Sequence, residues 1–288
     1  MDSEIHFAET AMPSIQIESR LIDDIPALTF ALSNAESCPL VFFIHGFTSR
    51  KEEGLAIGYR LAEAGLFCVS VDAYLHGDRL GEPLTDLGSP ERATIYPPGT
   101  GFDTYFVMLD CAMHTAADLD RLIDHFARDP RVNAARVGVT GFSMGGFASY
   151  FAAANNPRIT TAVPMGAYPD LARRWHDLVL EASAYEEWTA EMDRLQDENE
   201  RRAAWLRQIN PAAKLLRDYR KPLFMANGDL DTDSPKAYVV PFFGEMRPLY
   251  AEQPERLKLK IYDGLAHTLD GQMIEDAVNW FCRYLSHE

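Results

Sequence analysis

A serine set between glycines is the first feature of this sequence whose residue types could do chemistry. Residues 136–148 read RVGVTGFSMGGFA, so a short β-branched run meets Gly-x-Ser-x-Gly and a helical segment follows. Such a sharp strand-to-helix turn needs glycine at Gly141 and Gly145, where a side chain would collide with neighbouring elements. The turn would hold the Ser143 hydroxyl at a helix N-terminus, whose free amides favour negative charge. Ser143 is therefore the candidate nucleophile.

A base must accompany this serine, because a hydroxyl is too weakly acidic to attack a carbonyl unaided. His267 lies in a glycine-containing loop after a late β-type run and before the last helical pattern. The base of a nucleophile elbow comes last in the order serine, acid, histidine, and His267 fits that order. We predict that His267 is the base.

Three aspartates crowd the loop after the run at 222–226, and each could orient the base: Asp229, Asp231 and Asp233. Asp231 is third after Gly228, where a glycine lets the chain turn sharply off the strand and point this residue towards His267. We predict that Asp231 is the acid. The other two, which would cap the loop or face water, are kept as alternatives.

Negative charge developing on a carbonyl oxygen requires two backbone amides aimed at it. The Met144 amide directly follows the nucleophile. The second amide should come from the turn after the apolar run at 40–44, where Gly46 permits close approach and Phe47 N–H is the natural donor. We expect His45 to hold this turn by hydrogen bonding rather than to take part in chemistry.

The elements that must position these residues alternate between short β-type runs and longer helical patterns, which is typical of a mostly parallel sheet covered on both faces. The runs predict a hairpin over 14–31 and strands over 40–44, 67–71, 136–140, 160–165, 222–226 and 257–262. Helical spacing predicts helices over 54–64, 104–127 and 271–285. The predicted fold class is α/β, with about eight strands in one domain, 1–288.

Two segments break this alternation. Residues 76–103 are rich in glycine and proline and predict a long irregular loop. Residues 170–217 are longer than one crossover helix needs, and apolar residues recur at helical spacing within them. We predict a helical cap insertion over 170–217 above the pocket; an extra pair of packing helices is the alternative.

The four motifs, in this order, resemble those of the α/β-hydrolase superfamily: His45-Gly46-Phe47, Gly141–Gly146, Gly228–Asp231 and Gly264–His267. Within it the chain is similar to esterases of the dienelactone-hydrolase and prolyl-oligopeptidase-like groups. The resemblance implies an eight-stranded sheet and a Ser143–Asp231–His267 triad. Dienelactone hydrolases proper use a cysteine nucleophile, so a serine favours ester or amide hydrolysis.

The expected activity is that of a serine carboxylesterase acting on small to medium esters through an acyl-enzyme. The same triad could serve an amidase or peptidase, a carbamate or lactone hydrolase, or an acyltransferase. An inactive hydrolase-like binding protein is a weaker alternative. One candidate substrate contact is His76, for which shaping of the loop is the preferred alternative. The others, each of which could equally be ordinary core, are Phe102, Tyr168, Trp175 and Trp188.

The composition of the chain limits the classes of binding partner that are expected. The formal net charge of −16 argues against nucleic acid and anionic membranes as partners. The four cysteines are scattered without metal-ligand spacing, and we expect neither a metal nor an organic cofactor. No stretch resembles a signal peptide or a membrane span, so a cytoplasmic location is expected. A homodimer is common among such enzymes, but the sequence leaves the oligomeric state open.

Overall fold

The computed structural model describes residues 13–80, 100–183 and 196–286. Its strands are β1 (Ile15–Ile22), β2 (Ile25–Leu32), β3 (Cys38–Ile44), β4 (Phe67–Val71), β5 (Val132–Phe142), β6 (Ile159–Met165), β7 (Leu223–Gly228) and β8 (Leu257–Tyr262). Its helices are α1 (Leu55–Glu63), α2 (Thr100–Phe126), α3 (Met144–Asn155), α4 (Leu171–Ser183), α5 (Gln196–Ile209), α6 (Pro211–Asp218), α7 (Lys236–Met246) and α8 (Gly271–Leu285). Short 3₁₀ turns include Lys51–Gly54 and Gly77–Leu80.

The strands form one eight-stranded sheet in the order β1-β2-β4-β3-β5-β6-β7-β8. β1 pairs with β2, and β2 with β4, in antiparallel register, whereas all later neighbours are parallel. Because β3, β5, β7 and β8 run in the same direction, the loops after them emerge at one edge of the sheet. That edge carries every predicted catalytic motif.

Core residues on β3 divide between the two faces of the sheet. Val41 and Phe43 pack with α1 and α8 on one face, whereas Leu40, Phe42 and Ile44 pack with α2 and α3 on the other. All five are fully buried. A strand covered on both faces has no polar side, which explains why its sequence is a continuous apolar run. The prediction of an α/β-hydrolase fold with helices on both faces is confirmed.

Several predicted boundaries differ from the structure. β5 begins at Val132 rather than residue 136, and a register shift at Val137/Gly138 lies between its partly exposed first half and its buried second half. α2 begins at Thr100, inside the predicted 76–103 loop, because a first-turn Gly101 costs a helix only about 1 kcal/mol relative to alanine. Residues 81–99 of that predicted loop lie outside the described residues.

The predicted insertion over 170–217 contains α4, α5 and most of α6, with residues 184–195 outside the described part. Rings from α2, α4 and α5 meet here: Phe106 lies 4.9 Å from Trp175 and 5.7 Å from Trp205, measured between centroids. This aromatic contact joins the segment to the main body, and its role as a cap stays a prediction. Among the helices that the structure describes, none is long and apolar enough to cross a membrane.

Candidate active site

Ser143 occupies a strained turn between β5 and α3. Its φ of 56° and ψ of −116° lie in a region that non-glycine residues rarely adopt, at a cost of about 1–3 kcal/mol. The surrounding packing imposes this turn: a Cβ on Gly145 would lie 1.8 Å from the Ile44 carbonyl oxygen, and one on Gly141 2.4 Å from the same atom. The Ser143 amide donates to Met165 O at 3.0 Å, which fixes the turn against β6.

The imidazole of His267 joins the serine to a carboxylate. Ser143 Oγ lies 2.8 Å from His267 Nε2, and His267 Nδ1 lies 2.8 Å from Asp231 Oδ2. A carboxylate only accepts, so Nδ1 carries the proton and Nε2 accepts from the hydroxyl. The ring of Phe142 packs on the imidazole, with centroids 4.8 Å apart. The fold thus brings together three side chains from the loops that follow β5, β7 and β8.

The structure distinguishes the three aspartates of the β7 loop. The Asp231 side chain is 1% exposed, and its second oxygen accepts the Ser234 amide at 2.7 Å, so the carboxylate is aimed at the imidazole. Asp229 instead accepts the Leu265 amide at 3.2 Å and ties the two loops together, while Asp233 is exposed. A Cβ on Gly228 would lie 2.1 Å from the Leu265 carbonyl oxygen, so only glycine allows this approach.

The turn after β3 lies directly beside Ser143. β3 and β5 are paired with Ile44 opposite Gly141, and a Cβ on Gly46 would lie 3.7 Å from Ser143 Cβ. Met144 is the first residue of α3, so its amide is one of those that have no partner within the helix. Both amides predicted to stabilise an oxyanion, those of Phe47 and Met144, therefore belong to segments that meet at Ser143.

The side chain of His45 holds this turn in place. Its Nε2 accepts the Ala73 amide at 3.0 Å, so Nδ1 carries the proton and donates to Gly46 O at 2.7 Å. The Ser49 amide donates to the same carbonyl at 3.2 Å. A trans peptide points its N–H opposite to its C=O, and no described peptide bond is cis, so the direction of Phe47 N–H follows that of Gly46 C=O, which these two hydrogen bonds restrain. Burial lowers the pKa of His45 to about 3, which keeps it neutral.

A buried ion pair fixes the continuation of this turn. Lys51 and Asp72 are 3% and 0% exposed, and Lys51 Nζ lies 3.0 Å from Asp72 Oδ2 and 2.6 Å from Asp78 Oδ2. Asp72 also accepts the amides of Lys51 at 2.8 Å and Asp78 at 2.9 Å. Burial alone would lower the pKa of Lys51, but its hydrogen bonds to both aspartates outweigh burial and raise that pKa. A Cβ on Gly77 would lie 2.2 Å from this Asp72 carboxylate, and the positive φ of Gly77 equally requires glycine.

The predicted substrate contacts lie in the packed interior where they are described. His76 is fully buried, donates from Nδ1 to Tyr74 O at 2.8 Å, and its ring lies 5.3 Å from that of Phe47. Tyr168 and Trp175 are 2% and 3% exposed. Trp188 and the Phe102 side chain lie outside the described residues. The structure thus gives these positions packing neighbours, and their substrate contacts stay a prediction.

Sequence reasoning did not single out Glu53, Lys51 or Asp72, all of which form hydrogen bonds within the turn after β3 or its continuation. Their signal is weak: a charged run follows His-Gly-Phe, and an aspartate follows β4 directly. The contact between Lys51 and Asp72 spans 21 residues, so spacing within one element could not reveal it.

Comparison with known proteins places the chain among its relatives. The family model described as the prolyl oligopeptidase family matches residues 106–288, which is more than half of the chain and includes all three residues of the Ser143–His267–Asp231 arrangement. The chain belongs to the prolyl oligopeptidase family. It is an α/β-hydrolase and an enzyme of the hydrolase class, and the resemblance predicted from its motifs is confirmed.

Individual proteins are similar to this prolyl oligopeptidase family member over most of its length. It is 28% identical to the Bacillus subtilis (strain 168) protein named "Putative esterase YitV" over 281 residues, covering 94% of this chain and 100% of that protein. Its fold is similar to that of TT1662 from Thermus thermophilus, with a TM-score of 0.68, 19% identity and coverage of 96% and 100%. It is also similar to acetyl xylan esterase 1 from Thermoanaerobacterium sp. JW/SL YS485, with a TM-score of 0.59, 19% identity and coverage of 96% and 89%.

Proposed function

We propose that this protein is a serine carboxylesterase that hydrolyses small to medium carboxylic esters through an acyl-enzyme on Ser143. The observation that carries the proposal is the pair of 2.8 Å contacts that link Ser143 Oγ, His267 and Asp231. The relative named as an esterase at 28% identity supports the choice of ester chemistry.

In the proposed reaction, His267 Nε2 removes the Ser143 proton as Oγ attacks the ester carbonyl. The amides of Phe47 and Met144 stabilise the negative oxygen of the tetrahedral intermediate. The alcohol then leaves with the proton from His267, and a water molecule, activated by the same imidazole, releases the acid. Asp231 holds the productive tautomer and stabilises the imidazolium that forms in each step.

Amide or peptide hydrolysis is the second candidate, because the matching family is that of prolyl oligopeptidase. The same three residues would act, and the leaving group would be an amine instead of an alcohol. An amine is the poorer leaving group, so protonation by His267 would matter more in that reaction.

Replacement of Ser143 by alanine tests the proposal. We expect Ser143→Ala to reduce the hydrolysis of p-nitrophenyl acetate by at least about a thousandfold, because the acyl-enzyme cannot form. The variant should keep the thermal unfolding midpoint of the native protein, since alanine retains the Cβ at the strained position. Initial rates and circular dichroism melts measure the two quantities.

A fluorophosphonate probe should label the native protein at Ser143 and leave the alanine variant unlabelled. Matched p-nitrophenyl esters and p-nitroanilides of the same acyl groups would separate esterase from amidase. Substantial turnover by the alanine variant would refute the nucleophile, and faster anilide than ester hydrolysis would favour the second candidate.

A further inference from the structure

Glu53 contacts the oxyanion turn from outside the predicted triad. Gly46 N–H donates to Glu53 Oε2 at 3.0 Å, and both carboxylate oxygens lie 3.7 Å from the position that a Cβ would take on Gly46. Ser143 Cβ lies 3.7 Å from the same position. The carboxylate and the nucleophile therefore flank the same glycine.

The backbone that carries Glu53 is itself fixed. Glu53 lies in the 3₁₀ turn Lys51–Gly54, and its amide donates to Arg50 O at 3.0 Å. Lys51, two residues earlier, is held by Asp72, and its carbonyl accepts the Ser70 hydroxyl at 2.7 Å. The carboxylate thus extends from a fixed backbone segment to Gly46, which lies seven residues earlier in the chain.

The two peptides that flank Gly46 have separate anchors. The following peptide is fixed at its carbonyl by His45 and Ser49, as described above, whereas the preceding peptide is fixed at its N–H by Glu53. Glycine has the widest backbone freedom of any residue, so one anchored peptide does not determine the orientation of the next. Both anchors are needed to define the Gly46 conformation and, through it, the position of Phe47 N–H.

We infer that Glu53 is a positioning residue for the oxyanion site: it holds Gly46 N–H and thereby fixes Phe47 N–H towards the oxygen of the tetrahedral intermediate. The inference rests on the proposed function, since it assumes that Phe47 N–H is a donor in acyl transfer. Glu53 acts through the backbone and does not touch the reacting atoms.

Two substitutions of similar length separate hydrogen bonding from charge. Glu53→Gln removes the charge and keeps an oxygen that accepts Gly46 N–H, whereas Glu53→Met removes both. With p-nitrophenyl acetate, we expect the methionine variant to lose at least about tenfold in kcat with KM changed by less than about threefold, because an oxyanion donor acts mainly in the transition state. The glutamine variant should stay within about threefold of the native kcat.

The neighbouring Glu52 provides the matched control. Its carboxylate pairs with Arg50 at 2.6 Å and lies 3.5 Å from Lys51 Nζ, which Asp72 and Asp78 hold at shorter distances. No described contact joins it to Gly46, so Glu52→Gln and Glu52→Met should both keep kcat within about twofold. If Glu53→Met does not fold, Glu53→Ala assayed with and without sodium formate replaces it. Formate can accept Gly46 N–H in the vacated space, and we expect it to restore part of kcat.

Equal kcat values for Glu53→Gln and Glu53→Met, whether both low or both native, would overturn the inference, as would a folded Glu53→Ala that formate does not rescue. These outcomes differ from failure of the proposed function. In that case, the native protein itself would show no turnover that depends on Ser143.

Discussion

Two histidines meet different electrostatic surroundings within one site. His267 is 19% exposed and places Nε2 2.8 Å from Oγ of Ser143, the proposed nucleophile. His45 is fully buried, uses both ring nitrogens for backbone hydrogen bonds, and has a pKa lowered to about 3 by burial. Residue type alone therefore does not separate a base from a structural group, whereas the partners of each ring nitrogen do.

The low pKa of His45 predicts a specific loss of stability in acid. In the unfolded chain, the His45 side chain binds a proton below about pH 6.5, whereas in the folded protein it binds one only below about pH 3. The free energy of unfolding therefore falls as pH drops from about 6.5 to about 3. From pH 7 to pH 5 this one group should remove about 2 kcal/mol. His45→Asn keeps a donor for Gly46 O. Its free energy of unfolding, measured in urea, should lack the decrease with falling pH that His45 causes.

His76, whose pKa burial also lowers, is present in both proteins, and its ring lies 5.3 Å from that of His45. Adding His76→Asn to both proteins removes its contribution from the comparison. Identical slopes of unfolding free energy against pH in the native protein and His45→Asn would contradict the prediction.

At the scale of elements, the 3₁₀ turn after β3 depends on charge more than on apolar burial. Lys51 and Asp72 are buried as a pair, with Asp78 as a second, exposed partner of the lysine. A buried charge that loses its partner is strongly destabilising, commonly by about 3–5 kcal/mol. This pair therefore couples the turn that carries Glu53 to the end of β4.

Lys51 and the neighbouring Arg50 allow a direct test of how much the buried ion pair stabilises the turn. Lys51→Met should lower the free energy of unfolding by about 3–5 kcal/mol, because Asp72 would be left buried without a cation. Arg50→Met removes an exposed pair, with side-chain exposures of 47% and 37%, and should cost less than about 1 kcal/mol. Urea unfolding at constant pH measures both values.

Adding Asp72→Asn to Lys51→Met should recover part of the loss, since the orphaned charge is then gone. Similar values for Lys51→Met and Arg50→Met would show that the buried pair does not stabilise the turn.

Across the whole molecule, the sequence predicts best where apolar pattern and chain breaks coincide. The bounds of β8 and α8 agree with the expected 257–262 and 271–285, because each is a periodic run next to turn residues. Asp270 caps α8 by accepting the Gln272 amide at 2.7 Å. The first half of β5 was missed because it is short in β-branched residues and only partly buried. Glu53 was missed because its contact with Gly46 arises only after the turn has folded.

The close packing of α8 on the sheet can be tested at Gly138, with Gly244 of α7 as the comparison. A Cβ on Gly138 of β5 would lie 2.6 Å from the buried Phe281 ring, so Gly138→Ala should destabilise the protein by about 1–3 kcal/mol. Nothing lies within 4 Å of such an atom on Gly244 of α7, so Gly244→Ala should stabilise the protein by up to about 1 kcal/mol. Unfolding midpoints in urea measure both, and shifts of the same sign would contradict the assigned packing.

Ser143 and His267 are separated by 124 residues, and this separation sets the order in which the proposed enzyme can mature. Synthesis proceeds from the N-terminus, and a domain generally folds as a unit. The serine therefore has no proposed base until β8 and the loop behind it have left the ribosome. A nascent chain would therefore carry an inert serine through most of its translation and become reactive only when the sheet is complete.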